Sequence, residues 1–512
     1  MKSKINKIIN TILLGILLLT AITIFAVSLY IKNVFGNAQF EQLLFSLQFA
    51  EGTSNDVIID GVKYCLPIII ILSIVLIIPV IIRLKKNTFL KINIKKKELK
   101  FQLFPLNHRI IYTLIVFLLL TIYSFDSIGF FDYLIKQNQS SHLFEDYYIN
   151  PDEVKITFPE EKQNLIYIYL ESMESSYSTS MINDEEVNLI PNLEEIAQTN
   201  LNFSNTENLG GAYNLNGTEW TIAAIVAQTA GIPLKLAING NTYDHYPSFL
   251  PGVTSLGDIL ESEGYNQYFL IGSMASFAGR DIYFTEHGDY ELLDYNWAKE
   301  QEKINEDYYV FWGYEDNKLF EFAKEQLLEI SQNDEPFNFT MLTVDTHALD
   351  GYLDETCEAT YDYTYANVIS CSDSMISEFV EWIEEQDFYE NTTIILTGDH
   401  ITMQSDIADY LIDDTRTIYN AFINAQTTPK NSTNRIFNPT DMFPTTLAAL
   451  GITIEGNRLG LGTNLFSNAK TLSEELGLDY LNEEISKNSD YYNKYFLKET
   501  YYEMLIEEKE EE

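Results

Sequence analysis

Three long apolar runs occupy the first quarter of the chain, at residues 11–31, 64–82 and 110–125. About 20 consecutive apolar residues are enough for a helix to cross a bilayer, and the third run is slightly shorter than that. A cleaved signal peptide is the alternative for the first run, but no small-x-small cleavage motif follows it and two further runs do. The pattern therefore predicts a transmembrane region over residues 1–127 that contains three helices.

A different pattern begins after a polar and aromatic connector at residues 128–150. Short apolar runs rich in β-branched and aromatic residues each end abruptly in polar residues, and amphipathic segments such as residues 318–329 and 372–385 separate them. The four runs lie at residues 164–170, 268–271, 337–344 and 392–396. Continuous apolar strands alternating with helices are typical of a parallel sheet buried on both faces. We therefore predict an α/β fold with a mostly parallel central sheet flanked by helices over residues 151–490.

The distribution of charge separates the same two regions. Residues 1–150 carry 15 Lys and Arg against 9 Asp and Glu, whereas the remainder carries 17 against 66, for a total net charge of −43. Nine of the basic residues lie between positions 83 and 109, and Lys2, Lys4 and Lys7 precede the first run. Basic loops stay in the cytoplasm, which predicts a multi-pass protein of the cell membrane with a cytoplasmic N-terminus and an extracytoplasmic α/β domain. The acidic outer region makes a nucleic-acid partner unexpected, and residues 491–512 are predicted to be a solvated acidic tail.

The chain has three cysteines, and two of them lie in the outer region. Cys357 and Cys371 are separated by 14 positions, whereas Cys65 lies in the second apolar run. In an oxidising compartment the outer pair could close a small loop, and two free thiols are the alternative.

Candidate chemistry gathers where the predicted strands end, because the carboxyl ends of parallel strands meet at one edge of a sheet. Glu171 follows the first strand, and Asp399 and His400 follow the last. Together with the hydroxyl of Thr218 these side chains form an oxygen-rich set with one imidazole, which suits Mn²⁺ or Mg²⁺ better than a structural zinc. The alternatives are a turn at Asp399-His400 and a helix N-terminal acid at Glu171.

Thr218 lies in a glycine-containing turn that precedes a predicted helix ended by Gly231 and Pro233. A helix N-terminus attracts anions, phosphate above all, so this hydroxyl is a candidate nucleophile, with a simple N-cap as the alternative. Arg280 is a candidate phosphate ligand or a surface ion-pair partner. His347, after the third strand, is a candidate donor to a phosphoryl oxygen or leaving group, or an ordinary surface residue.

The motifs in this order resemble the lipoteichoic acid synthase and phosphoglycerol transferase group of the alkaline phosphatase/sulfatase superfamily. The resemblance covers residues 141–466, and the matching stretches include Leu170-Glu-Ser, Gly217-Thr-Glu-Trp-Thr-Ile-Ala, Phe277-Ala-Gly-Arg-Asp, Asp345-Thr-His347 and Thr397-Gly-Asp-His400. Members of this group usually have five membrane spans, whereas we count three in this chain.

The resemblance implies an extracytoplasmic sulfatase-like catalytic domain and a transferase activity. The enzyme would move sn-glycerol-1-phosphate from phosphatidylglycerol, or a similar lipid, to an envelope glycan, a glycolipid or a teichoic-type polymer. Thr218 would be the nucleophile that carries the phosphoglycerol group, and Glu171, Asp399, His400 and the Thr218 oxygen would hold one divalent metal, Mn²⁺ or else Mg²⁺. Arg280, His347 and His287 would contact the phosphoglycerol group. The choice between Thr218 and Thr221 as nucleophile depends on which of the two begins the helix.

Besides a phosphoethanolamine transferase of the same superfamily, which the detailed motifs favour less, three alternatives follow from the same residues. A metal-dependent phosphodiesterase would pass the group to water, because hydrolysis and transfer share one kind of site. A sulfatase would need a Cys or Ser in a Cys/Ser-x-Pro-x-Arg motif, and neither Cys357 nor Cys371 begins one. A non-catalytic surface scaffold is the third alternative, although every member of the predicted metal set is present.

Overall fold

The structure, a computed structural model, describes residues 2–36, 40–48, 55–81, 89–94, 97–102, 109–235, 248–412 and 415–497. The chain divides into two compact units. The first consists of Met1–Phe40 and Ser54–Leu134, and the second of Glu41–Thr53 and Ile135–Glu512.

Helices account for most of the first unit and surround the sheet of the second. The α-helices are Lys2–Val34, Phe40–Gln48, Asn55–Leu76, Ile78–Ile81, Arg109–Ser127, Phe130–Gln137, Leu143–Tyr147, Pro191–Thr199, Thr221–Ala230, Leu256–Ser262, Arg280–Glu286, Tyr295–Glu300, Asp316–Ile330, Thr364–Glu384, Met442–Ala449, Leu472–Leu476 and Leu478–Ile485.

The first unit contains three helices that are long and apolar enough to cross a membrane, over Ile8–Val34, Ile59–Leu76 and Ile110–Ser127. They confirm the three predicted transmembrane helices. The second one begins and ends earlier than the predicted run at 64–82, whose last residue lies outside the described part of the chain. An antiparallel hairpin, Phe89–Ile94 and Lys97–Gln102, lies between the second and third spans in sequence.

A six-stranded sheet is the centre of the second unit. Its strands, labelled β1 to β6 in chain order, are Asn164–Leu170, Asn266–Ile271, Glu291–Leu293, Phe337–Leu342, Thr392–Gly398 and Asn420–Ile423. Their order in the sheet is β6-β5-β1-β4-β2-β3, and every neighbouring pair is parallel except β5 with β6. Six further short strands of this unit form three antiparallel pairs: Ile156–Thr157 with Thr453–Ile454, Ser180–Ile182 with Glu185–Val187, and Arg458–Leu459 with Gly462–Thr463.

Helices cover both faces of the sheet, and alternate residues of β1 reach two different cores. Tyr167 and Tyr169 belong to the core on one face, called the first core, whereas Ile166 and Ile168 belong to the second core, on the other face. Since successive side chains of a strand point to opposite faces, all seven positions of β1 are buried. The apolar run that predicted this strand is therefore the consequence of two-sided burial.

The predicted elements agree closely with the observed ones where the pattern was strongest. Strand β1 has the predicted bounds, and the other three predicted strands differ by at most a few residues at their ends. The predicted amphipathic segments at 318–329 and 372–385 lie within or overlap the helices Asp316–Ile330 and Thr364–Glu384. These findings confirm the α/β class and the mostly parallel sheet.

The C-terminal residues differ from the solvated tail predicted for 491–512. Tyr492 and Phe496 are 0% and 1% exposed, and Tyr492 packs edge-on against Phe144. Their aromatic rings complete the first core, so residues 491–497 belong to the folded unit. The charged residues at 498–512 lie outside the described part of the chain.

A segment far away in sequence also belongs to the second unit. Residues of the helix Phe40–Gln48 after its first position pack with this unit: Leu44 contacts the first core and Gln42 donates a hydrogen bond to Met403. The folded unit is therefore discontinuous along the chain.

The two cysteines of the second unit form a disulfide, Cys357–Cys371, which answers the question that the sequence left open. It joins a loop after His347 to the first half of the helix Thr364–Glu384. Disulfides persist outside the reducing cytosol, so the bond agrees with an extracytoplasmic second unit.

Replacing Cys371 by Ser should lower the free energy of unfolding by about 3 kcal/mol, the loop-entropy value for a closed loop of this length. Urea unfolding of the full chain in detergent, with and without reductant, measures the effect. Cys65→Ser, in the first unit, is the control and should respond to reductant as the wild type does. Full alkylation of both outer thiols in the non-reduced, denatured chain would contradict the bond.

Candidate active site

The register of two neighbouring strands brings the predicted ligand residues together. Strands β1 and β5 are parallel, and Leu170 at the end of β1 pairs with Gly398 at the end of β5. The next residues along each strand, Glu171 and Asp399, therefore leave the sheet side by side, and His400 follows. Ligand atoms of these three buried side chains lie within 4.8 Å of one another.

Backbone contacts hold this pair of strand ends close. The N–H groups of Ser172 and His400 both donate to Asp399 Oδ1, at 2.8 and 2.7 Å. A Cβ atom on Gly398 would lie 2.1 Å from the Met173 carbonyl oxygen, so only glycine permits this approach. Ser172 adopts a positive φ of 53°, a strained conformation for a residue with a side chain.

The remaining polar atoms of the cluster suit a cation. Asp399 Oδ2 and His400 Nε2 are buried without hydrogen-bond partners among the residues that the structure describes, although they lie only 3.3 Å apart. His400 Nδ1 lies 2.9 Å from the Ile401 carbonyl oxygen, which only accepts, so Nδ1 carries the proton and Nε2 presents its lone pair to the cluster. Imidazole ligands in metal sites are oriented in this way, and the residues present can hold a metal ion.

The electrostatics of the cluster show an excess of negative charge. Burial, and then the neighbouring Glu171, raises the pKa of Asp399 to about 7. Burial opposes protonation of His400, but Asp399 and Glu171 outweigh it and raise the pKa of the imidazole. Both shifts indicate that the pocket favours positive charge, whether as protons or as a metal ion.

The helix Thr221–Ala230 directs its N-terminus at this cluster, and Thr221 is its first residue. Thr221 Oγ1 donates to Glu171 Oε2 at 3.3 Å. Thr218 lies before the helix, where its hydroxyl accepts from the Leu215 N–H at 3.0 Å and donates to the Leu215 carbonyl at 2.9 Å. Thr221 therefore contacts Glu171, whereas the hydrogen bonds of the Thr218 hydroxyl go to Leu215.

The helix starts three residues later than the sequence analysis placed it, since Trp220 is its N-cap. Thr218 stabilises the preceding turn instead. At the other end Gly231 has φ of +67° and caps the helix in the left-handed conformation, as its position in the sequence indicated.

Arg280 is buried and interacts electrostatically with the cluster. Burial lowers the pKa of its guanidinium to about 10, while Glu171 and Asp399 among its acidic neighbours oppose that shift. The side chain is held by hydrogen bonds to Ser273 Oγ and to the carbonyls of Phe277 and Met274. It is a fixed positive charge whose acidic neighbours include Glu171 and Asp399, not a surface ion pair.

His347 also faces this region, because His400, Asp399 and Arg280 all influence its charge. Burial, followed by the nearby His400, lowers the pKa of His347 to about 4, so the imidazole is neutral at neutral pH. Nδ1 lies 2.6 Å from the Ala348 carbonyl oxygen and must therefore carry the proton. A neutral His347 offers an acceptor at Nε2, whereas the sequence analysis expected a donor.

The resemblance implied that His287 contacts the phosphoglycerol group; in the structure, both of its ring nitrogens lie near acceptors within the fold. Its ring is buried, with Nε2 2.8 Å from the Phe249 carbonyl and Nδ1 3.1 Å from Asp258 Oδ2. Burial alone would lower the pKa of His287, but both partners are acceptors that stabilise the imidazolium, and together with Glu286 they raise the pKa. The structure gives both ring nitrogens a role in holding the fold together.

Two residues near the cluster had no role in the sequence analysis. Burial raises the pKa of Glu219 to about 7, and His400 and Glu41 are the charges that act on it. Trp312 packs against His347, with ring centroids 4.7 Å apart. The motif positions of both residues were visible in the sequence, but their neighbours come from distant segments.

The raised pKa of His287 makes a pH-dependent contribution to stability. The imidazolium contacts are fully present below the unfolded pKa of about 6.5 and are lost as pH rises through the higher folded-state pKa. The stability difference between wild type and His287→Gln should therefore be largest near pH 5.5 and shrink toward pH 8.5, by about 1.4 kcal/mol for each unit of pKa difference. Urea unfolding of the full chain at several pH values measures it; a constant difference would show that His287 does not titrate in this way.

Comparison with known proteins is consistent with this geometry. The sulfatase family model matches residues 163–452. Phosphoglycerol transferase I of Salmonella choleraesuis (strain SC-B67) is 34% identical over 341 residues, which cover 65% of this chain and 42% of that protein. The same-named protein of Citrobacter koseri is 34% identical over 277 residues, covering 52% and 34%. The chain thus spans less than half the length of these curated relatives.

A solved structure supports the fold alone. The lipooligosaccharide phosphoethanolamine transferase A of Neisseria meningitidis, an integral membrane protein, aligns with a TM-score of 0.52 and 12% identity, over 86% of this chain and 84% of that one. The family match covers more than half of the chain and includes both strands that lead to Glu171, Asp399 and His400. On this ground the chain belongs to the sulfatase family, within the superfamily that its motifs had indicated.

Proposed function

We propose that this chain is a membrane-anchored phosphoglycerol transferase that works through a covalent intermediate on Thr221. The observation that carries the proposal is the contact of the Thr221 hydroxyl, at a helix N-terminus, with Glu171 beside the unpartnered Asp399 Oδ2 and His400 Nε2. The names of the relatives, phosphoglycerol transferase I, support the group transferred.

Glu171, Asp399, His400 and the Thr221 oxygen would hold one divalent metal, and Mn²⁺ is the proposed ion, with Mg²⁺ as the alternative. Three oxygen donors and one imidazole suit either ion. When bound, the metal lowers the pKa of the threonine hydroxyl and stabilises negative charge on the phosphoryl oxygens.

In the first half of the reaction the Thr221 oxygen attacks the phosphorus of phosphatidylglycerol. A bond forms between this oxygen and phosphorus, and the bond from phosphorus to the diacylglycerol oxygen breaks. The proton of the hydroxyl passes, by way of acceptors in the site, to the departing diacylglycerol. Arg280 and the N–H groups at the start of the helix stabilise the negative charge that develops on phosphorus-bound oxygens.

In the second half a hydroxyl of an envelope glycan, a glycolipid or a growing polymer attacks the same phosphorus. The bond to Thr221 breaks, and the threonine regains a proton. Because water could attack in the same way, the acceptor must reach the site faster than water does for transfer to prevail.

The three apolar helices fit a donor that is itself a membrane lipid. We propose that the N-terminus is cytoplasmic and the second unit extracytoplasmic, from the basic residues between positions 83 and 109. The disulfide Cys357–Cys371 supports the same orientation.

Threonine substitutions distinguish the two candidate nucleophiles. Thr221→Ala should lower transfer by at least about a thousandfold, because it removes the proposed nucleophile, the hydroxyl at the helix N-terminus that contacts Glu171. Thr218→Ala is the matched control: it should retain the covalent adduct and lose about 1 kcal/mol of stability from its two hydrogen bonds to Leu215.

The measurement is mass spectrometry of peptides from the full chain after incubation with labelled phosphatidylglycerol and Mn²⁺. A phosphoglycerol adduct on Thr218 would overturn the assignment to Thr221. Release of the label as free glycerol phosphate in the presence of glycan acceptors would show a hydrolase.

Metal binding has a readout that is independent of activity. Saturating Mn²⁺, at about 100 times its dissociation constant, should stabilise the wild type by about 2.7 kcal/mol. Glu171→Gln and Asp399→Asn should lose this stabilisation, and without metal they should be at least as stable as the wild type, because each removes a buried like charge.

Glu195→Gln, an exposed acid elsewhere in this acidic unit, is the control for non-specific binding. Its melting temperature should rise with Mn²⁺ as that of the wild type does. Equal stabilisation of the wild type and the Glu171 and Asp399 variants would refute the proposed site.

A further inference from the structure

Trp312 has a buried indole N–H without a hydrogen-bond partner among the described residues. The side chain is 7% exposed, and its Nε1 atom is fully buried. Leaving a buried donor unpaired costs about 1–3 kcal/mol unless something else satisfies it. Such an atom beside an active site indicates a ligand atom that accepts a hydrogen bond.

The backbone fixes Trp312 to the same strand end that holds Arg280. Gly313 forms a bridge with Ser273, just after β2, and Tyr314 N donates to the Gly272 carbonyl at 3.0 Å. The hydroxyl of Ser273 accepts from the Arg280 guanidinium at 3.1 Å. Trp312 and Arg280 are therefore held in fixed relation by one short segment.

The aromatic rings of Trp312, His347 and Phe277 lie close together beside Arg280. The centroid of Trp312 lies 4.7 Å from that of His347 and 5.3 Å from that of Phe277. The Arg280 guanidinium carbon lies 5.3 Å from the Phe277 centroid. The rings offer apolar faces to carbon atoms, and the guanidinium offers a charge to a phosphoryl oxygen.

The two ring nitrogens in this group are complementary. Trp312 Nε1–H can only donate, and His347 Nε2 can only accept because Nδ1 carries the proton. A hydroxyl group satisfies both at once, since its oxygen accepts and its hydrogen donates. An ammonium group has three donors and no acceptor, so it would leave the indole N–H unpaired and would meet the repulsion of Arg280.

We propose that Trp312, with His347 and Phe277, forms a subsite that recognises a hydroxyl of the glycerol in a phosphoglycerol head group and discriminates against a phosphoethanolamine head group. This inference rests on the proposed function, because it places the donor phosphate near Arg280 and the nucleophile. Trp312 is a specificity residue: it binds the part of the substrate that does not react.

The test combines ligand and protein changes, so that misfolding of a variant cannot decide it. Isothermal titration of the full chain in detergent with Mn²⁺ would compare glycerol 1-phosphate with ethanolamine phosphate and with propyl phosphate, which lacks the hydroxyls. Wild type should bind glycerol 1-phosphate about tenfold more tightly than propyl phosphate. Trp312→Phe should lose this preference while its affinity for propyl phosphate stays the same.

Trp382→Phe is the matched control. Its ring stacks on Phe379 in the second core, and the preference for glycerol 1-phosphate should be retained. Mixed micelles of phosphatidylglycerol or phosphatidylethanolamine, used as competitors, would show whether the lipid head group occupies the same subsite as the free monoester.

The possible results separate this inference from the proposed function. If the wild type transfers phosphoglycerol but Trp312→Phe keeps the tenfold preference, the subsite is overturned and the transferase stands. If the preference depends on Trp312 but no transfer occurs, the subsite stands and the transferase proposal fails. If the wild type shows no preference among the three phosphates, the subsite is overturned whatever the activity.

Discussion

The pairing of β1 with β5 is the constraint on which the site depends. These strands are adjacent and parallel, and their register ends both at the same level, at Leu170 and Gly398. The acidic residues that follow are forced together, with an imidazole next to them, in a place that solvent does not reach. Buried carboxylates of this kind destabilise a fold unless they are paired or coordinated. A positive charge at this edge of the sheet would therefore stabilise the protein.

Hydrogen bonds and an ion pair from neighbouring loops fix Glu171 and the chain after His400 in position. Two hydrogen bonds hold the backbone of Glu171: its N–H donates to Thr343 Oγ1 at 2.9 Å, and its carbonyl accepts from Thr346 Oγ1 at 2.5 Å. These threonines belong to the segment that leads from β4 to His347, so this segment holds the backbone of Glu171 and positions His347 as well. On the other side the Glu174 carboxylate pairs with Arg416 and accepts from the Thr402 N–H, which fixes the chain after His400.

The sequence was sufficient where a single physical signal decided the outcome. Two-sided burial produces apolar runs, so β1 and β5 were found with their polar termini, and hence Glu171, Asp399 and His400. The start of the helix at Thr221 was harder, because Thr218 has good capping chemistry and only the packing of the Leu215 turn decides between them. The structural contacts of His287 could not be predicted for a similar reason: its partners Asp258 and Phe249 are 29 and 38 residues away, and no local pattern indicates them. The burial of Tyr492 and Phe496 depends equally on contacts with the distant Phe144.

The discontinuity of the second unit has a practical consequence for anyone who would study it apart from its membrane helices. A fragment that starts after the third span would be missing the strip from Glu41 onward, including Leu44 in the first core and the charge of Glu41 that acts on Glu219. Such a fragment would carry an uncovered apolar spot and an altered environment for a carboxylate close to His400. Preparations of the second unit without its membrane helices can therefore behave differently from the intact protein for reasons that have nothing to do with lipid.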